Sequence, residues 1–388
     1  MAFFSGALPR LAASALTKEN PIYVQFYITA RCNLVCSQCQ VIYANADQEE
    51  ATTDDCRRIA ENLAAVGTSV VLLTGGEPFV RHDLPEIAAA MTRNGIHVRT
   101  QTNGLATRKQ LESLVKASGC DISVSLDALV PTLQDKINGG FKRSWHRAIR
   151  TMADINATFP EDAFAVLGCV LSPMNLDQIP AIIDFATETG WWVSLVPAHT
   201  TTTDKPRNFS TYDQALKFHP SQYGKVREVL EQAKAMRNAG KHLYDSDEYL
   251  DDIFHYITDI PITWRRRNGG QCDSPNLYFA IQPNGEMAVC CDYRLANPPK
   301  VQDPAFVQQY RQAALRDQCE SITKACSGCM YGSFPEITIS SRFFVPMLRR
   351  AKLFLLPSPR RTLIQAPAER LLEIAADVAR KHGLEVAR

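Results

Sequence analysis

The chain has 388 residues, of which 45% are hydrophobic and 21% are charged, and its formal net charge is +1. This composition is that of a globular protein with about two domains, and the near-zero net charge argues against a general nucleic-acid binder. Its twelve cysteines stand in a long chain at metal-type spacings, which fits a reduced cytoplasm better than a disulfide-rich secreted protein.

Apolar runs alternate with helical patterns through the first half of the chain. The predicted strands are 22–29, 70–74, 98–102, 122–126, 163–171 and 193–196. The predicted helices between them are 53–66, 83–94, 107–118, 142–155 and 176–189. Alternating βα units predict an α/β fold with a parallel sheet and outer helices. These strands are too few to close an eight-stranded barrel, so we expect an open, partial (β/α)6 barrel over residues 21–200, after an N-terminal extension over residues 1–20.

Three cysteines, Cys32, Cys36 and Cys39, follow the first predicted strand. The C-x3-C-x2-C spacing puts three thiolates on one short loop, enough to hold three irons of a [4Fe–4S] cluster and leave the fourth iron open. An open iron can bind a substrate or cosubstrate directly. A zinc site is the alternative, but zinc usually takes four ligands, and no histidine lies near this loop.

A second motif, Gly75-Gly76-Glu77-Pro78, ends the second predicted strand. We expect its glycines to let a ligand approach the backbone closely, and Glu77 to offer a carboxylate to an ammonium group. The third and fourth predicted strands end at Thr102, Asn103, Ser125 and Asp127. All of these residues fall at the carboxyl ends of parallel strands, where ligands bind in such sheets.

The cysteine loop and the Gly75–Pro78 stretch together resemble the radical S-adenosylmethionine (SAM) enzymes over about residues 20–200. The resemblance implies that Cys32, Cys36 and Cys39 bind a [4Fe–4S] cluster whose open iron chelates SAM through its methionine amino and carboxylate groups. Gly75–Pro78 would contact the amino group, and the polar residues at the neighbouring strand ends would face SAM. The residue before the third cysteine, usually aromatic in the family and near the adenine, is Gln38 here.

Residues 201–265 change character and are predicted to form a helical cap or linker, with a helix at about 221–239. Around and within this segment lie His199, His219, Tyr244 and an acidic run at 245–252. Two interpretations are open: a solvated linker helix, or a substrate-facing cap over the barrel mouth.

Six further cysteines lie between residues 272 and 329: Cys272, Cys290, Cys291, Cys319, Cys326 and Cys329. Residues 277–289 predict a β-hairpin with an Asn-Gly turn, and Cys326 and Cys329 form a C-x2-C pair. Four thiolates from two local pieces make a closed site, suited to a structural zinc or to a fully ligated iron–sulfur cluster.

Residues 266–337 resemble the auxiliary-cluster extension called SPASM and, more closely, its shortened form called twitch. Gly285 precedes Cys290 by the spacing of the shared pattern, and no cysteine follows Cys329. The resemblance implies a second [4Fe–4S] cluster bound by Cys272, Cys290, Cys326 and Cys329. Cys291 should point to the opposite strand face, and Cys319 is the other ambiguous cysteine. The predicted core cysteines are Cys56, Cys120 and Cys169.

The resemblance also implies a reaction, in which SAM is cleaved to methionine and a 5′-deoxyadenosyl radical that abstracts hydrogen from an unactivated carbon. One closed auxiliary cluster supports net two-electron oxidation in the resembling enzymes, with an electron donor such as flavodoxin or ferredoxin. A base near the mouth must then take a proton, and the candidates are Asp127, His199 and Tyr244.

Three functions compete. The first is an oxidoreductase acting on a small molecule or biosynthetic intermediate. The second is a maturase that modifies a peptide side chain; its usual N-terminal peptide-binding domain is expected to be absent here or on a separate chain. The third, a non-enzymatic iron–sulfur or zinc module, does not explain Gly75–Pro78 beside an incomplete cysteine triad. A redox-neutral radical modification remains the alternative to oxidation.

The C-terminal tail, residues 338–388, is basic and apolar, with ten Lys/Arg and four Asp/Glu over 341–388. It is predicted either to pack on the barrel with its basic edge in water, or to lie on an anionic membrane surface. The second alternative would favour a lipid-like substrate. The N-terminus is a poor signal peptide and no stretch has the ~18 apolar residues that span a bilayer, so the expected location is cytoplasmic, with membrane-surface association as the alternative.

Overall fold

The protein is described here by a computed structural model, which covers residues 8–39, 47, 49–117, 121–161, 163–199, 216–267, 269–270, 272–355 and 363–385. Its centre is one sheet, with strands in the order β6-β5-β4-β3-β2-β1-β7-β8. The strands are β1 (Tyr23–Thr29), β2 (Val70–Gly75), β3 (His97–Thr102), β4 (Asp121–Ser125), β5 (Ala165–Leu171), β6 (Trp192–Pro197), β7 (Tyr278–Ile281) and β8 (Met287–Ala288). The predicted strands are therefore confirmed, with small shifts at their ends.

Helices surround this sheet. They are α1 (Leu8–Thr17), α2 (Thr53–Ala65), α3 (Leu84–Arg93), α4 (Arg108–Ala117), α5 (Pro131–Ile137), α6 (Ser144–Thr158), α7 (Ile179–Thr189), α8 (Tyr223–Asn238), α9 (Asp247–Ile257), α10 (Thr263–Arg267), α11 (Phe306–Arg311), α12 (Ala313–Ala325), α13 (Ser333–Arg342), α14 (Phe344–Leu355) and α15 (Ala368–Lys381). Short 3-10 helices occur at Pro78–Val80, Leu176–Gln178 and Pro220–Gln222. Several α-helices begin at residues that favour a helix start. Thr52 and Asp55 form a capping box at the start of α2, and a proline stands in the first turn of α3, α5 and α7.

The six strands β1 to β6 pair in parallel, each with the next along the chain. Side chains from all six line one shared cavity, from Tyr23 on β1 to Val196 on β6, so the sheet curves around it. This confirms the predicted α/β partial barrel. A curved parallel sheet with outer helices is buried on its outer face, which explains the near-continuous apolar runs of β1 and β2.

The predicted hairpin at 277–289 joins the barrel sheet instead of standing apart from it. β7 runs parallel to β1, with Tyr23 opposite Tyr278 and Phe26 opposite Ile281, and β8 returns antiparallel to β7. The backbone hydrogen-bonding edge of β1 is therefore occupied. As a consequence, the cysteines that flank the hairpin are fixed relative to the barrel by direct strand pairing.

Helix α8 lies at the position of the helix predicted at about 221–239. Val226, Val229 and Leu230 of α8 belong to the same buried cluster as the barrel core, and α8 packs against α7 on the outside of the sheet. The apolar face of α8 is buried, and Tyr244 from the same predicted segment lines the cavity at the strand ends. The part of the predicted segment at 200–215 lies outside the described residues.

The C-terminal region packs on the barrel over most of its described length. Arg342 pairs with Asp273, Arg350 pairs with Glu336, and α15 lies across α6 and α7, where His382 contacts Asp184. One face of α14 remains outside this packing, as described below. Among the described residues, none of the helices combines the length and the apolar character needed to cross a bilayer.

Candidate functional site

One cavity of about 300 Å³ opens at the carboxyl ends of β1 to β6. It collects most of the residues that the sequence motifs single out. The predicted site residues that line it are Cys32, Cys36, Cys39, Gly75, Gly76, Glu77, Pro78, Thr102, Asn103, Ser125, Asp127 and Tyr244. The motifs scattered over more than 200 positions of the sequence therefore meet at one place in the fold.

The loop after β1 carries the three cysteines of the first motif, and each of them is half-buried at the cavity wall. Burial raises the pKa of the Cys32 thiol to about 11, and the nearby Glu77 and Cys39 raise it further. Burial also raises the pKa of Cys36, followed by the charges of Cys39, Asp127 and Cys32. Burial and repulsion between the negative charges both disfavour the thiolate forms of these cysteines. A positive centre bound by all three sulfurs would stabilise the thiolates.

The loop is anchored at its middle to the segment after β4. Ser37 donates its backbone N–H to the Ile137 carbonyl at 3.0 Å, and the Cys36 thiol points to the Asn138 side-chain oxygen at 3.6 Å. Gln134 donates to the same Asn138 oxygen at 3.2 Å and accepts from the Asp127 backbone N–H at 2.7 Å. Sequence reasoning missed this relay, because glutamine and asparagine carry no recognisable signal on a short helix.

The glycines of the second motif line the cavity and also allow two parts of the chain to pass close together. A Cβ on Gly75 would lie 2.3 Å from the Thr29 carbonyl oxygen, and one on Gly76 would lie 2.1 Å from that of Arg31. Gly75 also has a φ of +148°. The absent side chains therefore let β2 pass directly against the start of the cysteine loop, and this close approach is between two parts of the chain.

Glu77 is 2% exposed and its carboxylate is held by three donors. Thr102 Oγ1 donates at 2.9 Å, the Asn103 backbone N–H at 2.7 Å and the Phe79 backbone N–H at 3.1 Å. Burial nevertheless raises the pKa of Glu77 to about 7, because desolvation outweighs these hydrogen bonds. No cation pairs with Glu77 within the described ranges, and a buried carboxylate of this kind is suited to receive an ammonium group.

Asp127, at the end of β4, is the second buried carboxylate of the cavity. It accepts from the Val170 backbone N–H at 2.7 Å and from the Gln38 side chain, and burial raises its pKa to about 6. Gln38 replaces the aromatic residue usual in the family and holds this carboxylate. Its own side-chain oxygen is buried at the cavity wall and has no hydrogen-bond partner in the described part of the chain.

The two other candidate bases, Tyr244 and His199, lie in different environments. Tyr244 lines the cavity, where its ring packs on Phe164 at 5.2 Å and beneath Arg350 at 4.0 Å. His199 does not line it: one ring nitrogen faces the Pro197 carbonyl at 2.9 Å, and Nε2 accepts from the Met330 backbone N–H at 3.0 Å. With both nitrogens engaged, His199 is not available as a base. It ties β6 to the segment after Cys329 instead.

The second cysteine group surrounds one region beside β7. Cys272 Sγ lies 3.4 Å from the Tyr278 hydroxyl, and Cys326 ends α12. The pKa of Cys329 is raised by burial and next by Cys272 and, more weakly, Cys326; that of Cys290 is raised by burial and then by its neighbours, Cys329 among them. Cys329 therefore interacts electrostatically with the three other predicted ligands, which three separate stretches of chain supply.

Arg265 joins two of these stretches and was not predicted. Its guanidinium, on a side chain that is 6% exposed, donates to the carbonyls of Gly270, Thr323 and Cys326. The residue therefore fixes the loop before Cys272 against the loop that carries Cys326. A run of three arginines at 265–267 was visible in the sequence, but nothing there distinguished the buried one.

Four of the remaining cysteines lie among the described residues. Cys291 points away from Cys290: its sulfur contacts the Tyr27 hydroxyl at 3.1 Å and lines the cavity. Cys319 is fully buried on α12. Cys56 and Cys169 are core residues, and Cys120 lies outside the described residues.

The donor sets fit iron–sulfur clusters. In the described ranges, no three His, Cys, Asp or Glu side chains lie close enough together to bind one metal ion. A cluster does not require this, because each thiolate binds a different iron. The first set is three soft thiolates beside an unpaired buried carboxylate, and the second is four thiolates; soft sulfur donors of this kind suit iron–sulfur chemistry.

Comparison with known proteins agrees with this geometry. Residues 26–186 match the family model described as the radical SAM superfamily. The chain is 32% identical over 178 residues to the Fe-coproporphyrin III synthase of Methanosarcina barkeri, covering 44% of this chain and 42% of that protein. It is 29% identical to the mycofactocin maturase MftC of Mycolicibacterium smegmatis, covering 44% and 43%. It is 30% identical to the PqqA peptide cyclase of Bradyrhizobium diazoefficiens, covering 47% of each chain. The match spans less than half the length of these relatives.

Solved structures share the fold over more of the chain. SuiB of Streptococcus suis bound to the precursor peptide SuiA has a TM-score of 0.62 at 16% identity, covering 83% of this chain and 75% of that one. The enzyme anSMEcpe with bound AdoMet has a TM-score of 0.56 at 12% identity, covering 93% and 97%. At these identities the likeness concerns the fold alone.

Proposed function

Because this chain belongs to the radical SAM superfamily through residues 26–186, we propose that it abstracts hydrogen from a substrate held in the cavity at the strand ends. When bound, the family's [4Fe–4S] cluster and SAM supply a 5′-deoxyadenosyl radical. The observation that carries the proposal is the meeting of Cys32, Cys36 and Cys39 with the buried carboxylate of Glu77 at one cavity wall.

Each wall has a distinct task in this proposal. The three thiolates would hold the cluster, and the Glu77 carboxylate, kept in place by Thr102 and Asn103, would accept hydrogen bonds from the amino group of SAM. The free oxygen of Gln38 is a suitable acceptor for the adenine amino group. Asp127, with a pKa near 6, is the better candidate for the base that takes a proton, and Tyr244 is the second.

The substrate class is best supported as a peptide side chain, because two relatives are named as a peptide cyclase and a mycofactocin maturase. Oxidation of a small biosynthetic intermediate is the second candidate, favoured by the synthase relative and by a cavity that ends inside the barrel. In both cases we propose that Cys272, Cys290, Cys326 and Cys329 would hold a second cluster, which would supply a one-electron acceptor. With the hydrogen atom abstracted and a proton taken by the base, the product would have two hydrogens fewer than the substrate.

Binding of SAM should depend on pH through Glu77. A pKa near 7 means that Glu77 is largely protonated at pH 6, and this proton must leave before the carboxylate can accept from the amino group of SAM. The Kd for SAM should therefore be about tenfold higher at pH 6 than at pH 8. Titration of the reconstituted protein at both pH values measures this.

The matched variant for this prediction is Glu77→Gln, which keeps the shape and removes the ionisable group. It should bind SAM more weakly than wild type at pH 8 but with nearly equal affinity at the two pH values. An unchanged pH slope in Glu77→Gln would show that another group, such as Asp127, controls the titration.

The exposed face of α14 supports a further proposal, that of peripheral contact with an anionic membrane. Phe344, Val345, Met347 and Leu348 are 40–68% exposed, beside Arg349, which is half-exposed and pairs with Asp247 at 3.2 Å. Apolar side chains with neighbouring cations are typical of helices that lie in a membrane interface.

Full-length protein should therefore bind liposomes that contain phosphatidylserine, and salt should weaken the binding. The double variant Phe344→Ser/Leu348→Ser should reduce sedimentation with these liposomes several-fold. Leu16→Ser is the control, since Leu16 is 82% exposed on α1, away from this face. Absence of binding by the wild-type chain would leave α14 with a packing role only.

A further inference from the structure

Arg99 is a cation inside the cavity that the proposed chemistry does not use. It lies on β3 and faces the lumen together with Gln101 and, past the strand end, Asn103. Alternate residues on a strand point to the same side, and four residues span ~13 Å. The Cα atom of Arg99 therefore lies ~13 Å along the strand from that of Asn103, whose backbone N–H donates to Glu77. Arg99 is in the part of the lumen away from the cysteine loop.

Arg99 forms no ion pair among the described residues, because Asp121, opposite it on β4, is bonded to His97 and to the Phe164 backbone N–H instead. The Cζ atom of Arg99 lies 5.2 Å from the centre of the Phe164 ring. Its charge also lowers the pKa of the buried Tyr23 hydroxyl, against the larger rise caused by burial. Three other buried or half-buried arginines have partners: Arg81 pairs with Asp83 and Arg350 with Glu336, while Arg265 donates to three carbonyls. A half-buried guanidinium facing a cavity without a counter-ion costs free energy unless a ligand supplies the charge.

The carboxylates that border the cavity are committed elsewhere. Glu336 is paired with Arg350, and Glu77 and Asp127 lie at the opposite end, each held by backbone N–H groups. Around Arg99 the walls are aromatic, with Phe164 packed on Tyr244 at 5.2 Å. Aromatic walls exclude water, and a charge pair formed there is stronger than one in solvent.

We infer that Arg99 binds a carboxylate of the substrate at the inner end of the cavity. A guanidinium presents paired N–H donors that match the two oxygens of a carboxylate. The inference rests on the proposed function, because it assumes that this lumen holds the substrate beneath SAM. It deepens that function by a geometric condition: the carbon that loses hydrogen lies between the carboxylate and the SAM site, on a side chain or small molecule that extends along β3.

The test uses the full chain, anaerobically reconstituted and saturated with SAM, and benzoate as the probe. Benzamide has the same shape without the charge, and phenylphosphonate carries a different anion. Calorimetric titration should show benzoate binding at least tenfold more tightly than either, since a charge-assisted pair contributes about one to two decades of affinity. Arg99→Gln should abolish the preference for benzoate, Arg99→Lys should keep part of it, and the surface variant Arg108→Gln should leave it unchanged.

Three results would overturn the inference: no benzoate binding by wild type at 10 mM, equal benzoate affinity in wild type and Arg99→Gln, or tighter binding of phenylphosphonate than of benzoate. Iron content and melting temperature should be unchanged in Arg99→Gln, which excludes a folding defect. Slow release of 5′-deoxyadenosine without substrate provides the separation from the proposed function. If that release is normal while the benzoate affinity does not depend on Arg99, only the inference fails. If wild type releases no 5′-deoxyadenosine, the proposed function fails.

Discussion

Replacing Cys36 by alanine should abolish the reductant-dependent release of 5′-deoxyadenosine from SAM. Cys36 is the central thiolate of the loop, anchored by Asn138 and near both Asp127 and Cys39. With two thiolates left, the cluster with the open iron has too few ligands to be retained. We expect about eight irons per wild-type chain and about four in the variant, with 5′-deoxyadenosine at background. Iron analysis and chromatography of the quenched reaction measure the two quantities.

Cys319→Ala is the matched control, because Cys319 is a fully buried cysteine outside both proposed ligand sets. It should keep about eight irons and the wild-type rate of 5′-deoxyadenosine release. Normal release by Cys36→Ala would contradict the assignment of the first cluster. Loss of half the iron in Cys319→Ala would instead place that cysteine among the ligands.

Replacing Cys326 by alanine should stop the reaction after hydrogen abstraction. Cys326 ends α12, and Arg265 holds its carbonyl against the loop before Cys272. Loss of this thiolate should remove the second cluster, leaving about four irons, while the cavity and its three cysteines remain intact. The variant should therefore still release 5′-deoxyadenosine and yet form no product with two hydrogens fewer, as measured by mass spectrometry of the reaction mixture.

The outcome separates an electron-accepting cluster from a structural one. If Cys326→Ala forms the normal product at the normal rate, the second site only stabilises the fold. The reaction would then be redox-neutral: a rearrangement, an elimination or an addition of the adenosyl group. Cys291→Ala is a useful companion variant, because this thiol lines the cavity next to a proposed ligand without belonging to the set. It should keep both clusters.

The barrel and its mouth could be predicted because the signals are local. Apolar runs of β-strand length alternate with amphipathic helices, and the strand ends carry the polar residues that meet in the cavity. Strand alternation predicted that Cys291 faces away from Cys290, and it does so although both residues lie in a bend after β8. The cysteine spacings carried the assignment of the metal chemistry, which no other part of the sequence specifies.

The features that were missed depend on contacts between distant parts of the chain. The pairing of β7 with β1 joins residues some 250 positions apart, and neither strand contains a signal for its partner. His199 was a candidate base because of its residue type, but its Nε2 accepts a hydrogen bond from the Met330 backbone N–H. Arg99 and Arg265 resemble ordinary surface arginines in the sequence, and only burial and the absence or presence of partners distinguishes them.

The central claim is that the cluster at Cys32, Cys36 and Cys39 has an open iron that binds SAM beside Glu77, whereas the cluster at the second cysteine group is closed. Electron paramagnetic resonance of the reduced protein before and after addition of SAM tests it most directly. In wild type, SAM should shift the signal of one cluster and leave the other unchanged. In the triple variant Cys32→Ala/Cys36→Ala/Cys39→Ala, the single remaining signal should not respond. A wild-type spectrum that ignores SAM, or a triple variant whose signal responds to it, would contradict the account.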